Sequence, residues 1–64
     1  MSGTLSTSAP RDDDLRFYEE RACQEKAAAE VASTPEIASA HRLLAIEYEA
    51  HACELRERLA AKAD

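Results

Sequence analysis

From residue 12 onward the apolar positions recur at intervals of three and four, the spacing of one face of a helix, and nowhere do they alternate as strand residues would. Asp12, Asp13 and Asp14 place an N-cap and negative charge at the positive end of a helix dipole, so a first helix is predicted over 12–32. Ser33, Thr34 and Pro35 then interrupt the chain. A serine or threonine can cap the next helix, proline is tolerated in its first turn, and the residue before proline is driven away from helical angles. A second helix is predicted over 35–62, with a break at 33–34 too short for anything but an αα-hairpin.

At 100° per residue the second helix gathers Ile37, His41, Leu44, Ala45, Tyr48, Ala52, Leu55 and Leu59 within ~60° of one direction. The first helix offers Leu15, Tyr18, Ala22, Ala29 and Ala32, with Glu25 set among them. Folding about the break brings Tyr18 to Tyr48, Ala22 to Leu44 or Ala45, and Ala29 to Ile37. It also joins the two polar members of these stripes, so a structural pair between Glu25 and His41 is expected. Leu55 and Leu59 overhang the start of the first helix and are expected to lack a partner within the chain.

A second stripe lies on the far side of each helix: Leu43, Ile46, Ala50 and Cys53 on one, Phe17, Gln24, Ala28 and Val31 on the other. A hairpin buries one face per helix, so Phe17, Val31, Leu43, Ile46, Ala50, Cys53, Leu55 and Leu59 read as an interface. The expected fold is therefore all-α, a two-helix antiparallel hairpin completed to a four-helix bundle by homodimerisation. The partners expected are a second copy (homodimer or higher) and, beyond it, another protein.

Composition sharpens this. Of 64 residues, 14 are Ala, while Leu, Ile, Val and Phe together number 10. Alanine favours helix but buries little area, so a lone copy should have a weak core. Residues 1–10, rich in Ser, Thr, Gly and Pro with Leu5 alone among them, read as a disordered tail without a signal peptide's basic and apolar regions. No apolar run approaches the ~20 residues of a membrane span. A cytoplasmic chain is expected, one that binds neither membrane nor nucleic acid. The charge of −5 leaves every basic residue among carboxylates, which is the wrong field for a phosphate backbone.

Candidate chemistry is sparse. Glu47, His51 and Glu54 share a flank of the second helix, and carboxylate-rich bundles hold di-metal sites through Glu-x-x-His pairs. The spacing here is one residue longer and lies beside the core stripe, so a small metal-binding or sensing bundle stands only as the alternative function. No cofactor is expected. Cys23 and Cys53 do not face one another in this register and read as small buried or interfacial hydrophobes rather than a disulfide. The single glycine is Gly3, so no phosphate-cradling loop can be built, and no nucleophile and base stand together; the chain is not expected to be an enzyme.

Residues 17–52 carry an aromatic-x-x-Arg-Ala start, a Pro-Glu break and a His-x-x-Leu-Ala-x-x-Tyr-Glu segment. In these features the chain resembles short uncharacterised helical-hairpin proteins of alphaproteobacteria. The resemblance implies a helical hairpin and carries no activity with it. The function expected is that of a small non-enzymatic oligomerising or protein-interaction protein, such as a regulatory adaptor.

Overall fold

A computed structural model of the chain describes residues 12–62. The expected tail, residues 1–10, lies outside the described residues. Helix α1 runs Asp12–Glu30 and helix α2 Pro35–Lys62, and the two pack against each other as an antiparallel hairpin.

Local chemistry explains the boundaries. Asp12, Asp13 and Asp14 occupy the first turn of α1, where backbone N–H groups lack partners and negative charge is favoured. Thr34 caps α2: its Oγ1 accepts from the N–H of Ile37 at 3.1 Å, and its carbonyl accepts from Ala38 at 3.0 Å. Pro35 is the first helical residue, where a missing N–H does no harm. α1 stops at Glu30, two residues short of the expected end at Ala32. Its last turn holds no basic side chain, Glu30 puts a negative charge at the negative end of the dipole, and the β-branched Val31 follows. The N–H of Ala32 closes the end with a bond of 3.4 Å to the carbonyl of Ala29.

Among the described residues the buried apolar ones are all alanines: Ala22 and Ala29 on α1, Ala38, Ala45 and Ala52 on α2, each no more than 8% exposed. Within each helix they stand seven apart, the repeat of a left-handed coil. Three residues after these alanines stand Glu25 on α1, and His41, Tyr48 and Leu55 on α2. The seam thus alternates a methyl group with a larger side chain. Methyl groups at the crossing let the two backbones approach toward the lower end of the ~8–10 Å range of helix spacings.

The seam corrects the expected core of α2. Ile37 and Leu44 are 44% and 41% exposed, and Ala38 is buried in their place. A stripe drawn at 3.6 residues per turn drifts ~20° per heptad from a seam that repeats every seven residues. On the seven-residue repeat Ile37 and Leu44 share one position at the edge of the seam, and the alanine one position on, Ala38 or Ala45, takes the close contact. Leu55 and Leu59, expected to be bare, are half-buried.

Candidate interaction surface

The polar pair expected across the helices is formed. Glu25, only 9% exposed, sits between His41, whose Nδ1 lies 2.6 Å from Oε1, and Arg21, whose Nη2 lies 3.6 Å from Oε2. A carboxylate accepts only, so the ring N–H donates. Next along the same flank, Arg21 donates to the Tyr48 hydroxyl at 3.4 Å and its guanidinium carbon lies 5.3 Å from the Tyr48 ring centre. The bond to Tyr48 is the main reason the Arg21 guanidinium is held above its ordinary value. Tyr18 then packs on Tyr48, ring centres 6.1 Å apart, and stacks on His51 at 5.0 Å. Phe17 meets the edge of Tyr18 at 5.2 Å.

The opposite flank is ionic. Lys26 pairs with Glu49, whose hydrogen bond raises the lysine above its ordinary value. Arg56 Nε lies 3.8 Å from Oε2 of Glu19. Two open depressions lie on either side of the Lys26–Glu49 pair. One, of about 360 Å³, reaches Ala29, Arg42, Ala45 and Ile46, and the other, of about 180 Å³, reaches Ala22, Cys23, Ala52 and Arg56.

The structure scatters the residues of the expected interface. Phe17 and Val31, at 53% and 82% exposed, lie toward the aromatic flank with Ile37 and Leu44, which the sequence reading had assigned to the core. Leu43 and Ile46, at 63% and 59%, lie on the outer side of α2 and toward the ionic flank, with the exposed Ala50 and Cys53. The far-side stripes of the two helices therefore do not form one patch.

Of the metal candidates, Glu47, His51 and Glu54 are exposed, and the His51 ring stacks on Tyr18. Among the described residues no group of three His, Cys, Asp or Glu side chains is placed to hold a metal ion. Cys23 and Cys53 are free and exposed rather than buried, and the Cys53 thiol donates to Glu57 within its own helix at 3.8 Å. Among the described residues no helix is long and apolar enough to cross a membrane.

Sequence reasoning set Tyr18 against Tyr48, as the structure has them, but missed Arg21 and His51, which complete the cluster. The signal was there: Arg21 and His51 each adjoin the seam on the side of Glu25 and His41, seven-residue neighbours of Ala28 and Leu44. No family model matches the chain, and no curated protein and no solved structure matches it either.

Proposed function

We propose that this chain is a non-enzymatic protein-interaction module that works as a homo-oligomer, two hairpins completing a four-helix bundle. One observation carries the reading: the hairpin buries five alanines and leaves Phe17, Val31, Ile37, Leu43, Leu44 and Ile46 exposed. Burying five methyl groups is worth on the order of 4 kcal/mol at ~0.8 kcal/mol each, whereas a single Leu or Phe side chain contributes ~1.5–3 kcal/mol when covered. The hydrophobic free energy still open to a covering surface is therefore at least comparable with what the alanine seam contributes. Covering it with a second copy is the arrangement that closed two-fold symmetry favours. The outer acidic surface, with a chain charge of −5, is then left to engage another protein.

Sedimentation equilibrium at micromolar concentrations tests this. The expected mass is twice the 7.0 kDa of the chain or a higher multiple. A single folded species at the chain mass overturns it.

A further inference from the structure

Self-association leaves open which surface meets the second copy, and the two flanks of the hairpin are not equivalent. The ionic flank is crossed by two exposed pairs, Lys26 with Glu49 and Glu19 with Arg56, which a covering surface would have to desolvate. The other flank carries Phe17, Val31, Ile37 and Leu44, each more than two-fifths exposed. At ~100 Å² for each, these side chains present on the order of 400 Å² of apolar surface, about half of the ~800 Å² per partner in a standard interface. The half-exposed Tyr48, His41 and Ala28 border the same flank and extend it.

Building on the proposed self-association, we infer that the second copy docks on this aromatic flank with both turns at the same end, so that each α1 lies antiparallel against the α2 of its partner. The orientation follows from the levels of the charged residues. The crossing contacts set Tyr18 beside Tyr48 and His51, and Glu25 beside His41. Along this flank Val31 therefore stands level with Ile37, Gln24 with Leu44, and Arg21 with Glu47. A two-fold axis along the hairpin keeps every residue at its own level. Val31 then meets Ile37 of the partner subunit, Gln24 meets the partner subunit's Leu44, and Arg21 meets the partner subunit's Glu47. An axis across the helices reverses the levels, sets like helix on like helix, and puts the guanidinium of Arg21 against Ala28 of the partner subunit. In that arrangement the guanidinium, already held by Glu25 and Tyr48 within its own chain, gains no carboxylate from the partner subunit, whereas the axis along the hairpin sets an exposed glutamate level with it. Asp14 and Glu54 stand beyond Phe17, at the open end, where both are exposed to water.

Two measurements test the surface and the orientation separately. In sedimentation, Leu44→Asp is expected to raise the dissociation constant ~tenfold or more, as loss of a central interface anchor does, while Ile46→Asp leaves the mass unchanged. Dissociation by Ile46→Asp, or an intact dimer with Leu44→Asp, overturns the choice of flank. Orientation is read by oxidative cross-linking of chains carrying Cys23→Ser and Cys53→Ser with one added cysteine, either Gln24→Cys or Leu44→Cys. Covalent dimers are expected only when the two chains are mixed. Cross-linking of either chain with itself, or none on mixing, overturns the orientation, and this arm decides the matter if Leu44→Asp fails to fold. A monomeric wild-type chain removes the proposed self-association as well, whereas a dimer that links in the wrong pairs removes only this inference.

Discussion

Glu25 is the charged side chain that the described hairpin buries, and its neighbours account for its being tolerated there. His41 donates at 2.6 Å and the Arg21 guanidinium lies 3.6 Å away, so the carboxylate exchanges hydration for one hydrogen bond and one ion pair. Glu25→Ala strands the His41 donor, removes the carboxylate beside Arg21 and is expected to lower the unfolding free energy by ~1–3 kcal/mol in urea titrations followed by circular dichroism. Adding His41→Leu to Glu25→Leu should recover most of that loss, because replacing both partners with apolar groups removes the need to satisfy either. If the double variant proves no better than Glu25→Ala, the pair contributes through something other than mutual satisfaction. This pair was legible in the sequence because each member was the lone polar residue in an apolar stripe. The stacking of Tyr18 on His51 was not legible. It depends on side-chain lean across the seam, and a wheel grouped His51 with Glu47 and Glu54 instead.

Each helix is held by a different balance of local and tertiary forces. The capping bond from Thr34 to Ile37 satisfies a donor that α2 would otherwise leave open, so Thr34→Ala is expected to cost ~1 kcal/mol by thermal melting. At the seam the constraint is space. Ala52, 1% exposed, admits no larger group without parting the helices, and Ala52→Leu should destabilise the hairpin by ~1–3 kcal/mol despite adding hydrophobicity. The same substitution at the exposed Ala50 should be near neutral, which makes the comparison a test of packing rather than composition. Lys26 gives the ionic flank a pH signature. Its pKa is raised by Glu49 from 10.5, so the pair stabilises fully below that value and the stabilisation fades as pH rises through the raised one. An alkaline titration of the melting temperature should fall more steeply in the wild type than in Lys26→Met. The helices and their break were legible because capping, proline and dipole rules act locally. The seam was legible only in part: Ala22, Ala29, Ala45 and Ala52 were placed on it, but Ile37 and Leu44 were preferred to Ala38. Size draws a wheel toward large residues, whereas close packing selects the small ones.

At the scale of the whole molecule the question is where the stability comes from. The surplus of large apolar side chains was legible by counting, and six of them are exposed among the described residues. What counting could not supply was their division between flanks, because the rotation of each helix about its axis is set by the alanine seam and not by the residues left over. A stability held mainly within one chain and a stability held between chains differ in a property that needs no mutation. If hairpins stabilise one another, unfolding is coupled to dissociation, and mass action makes the melting temperature rise with protein concentration. A tenfold increase is worth ~1.4 kcal/mol per dimer, which for about 100 ordered residues in two copies corresponds to a rise of roughly 5–10 °C. Dilution from 100 to 1 μM should therefore lower the midpoint by two such steps, with helical signal lost in a single transition. A midpoint that stays fixed over that range would place the stability inside one hairpin, and the alanine seam would then have to account for all of it.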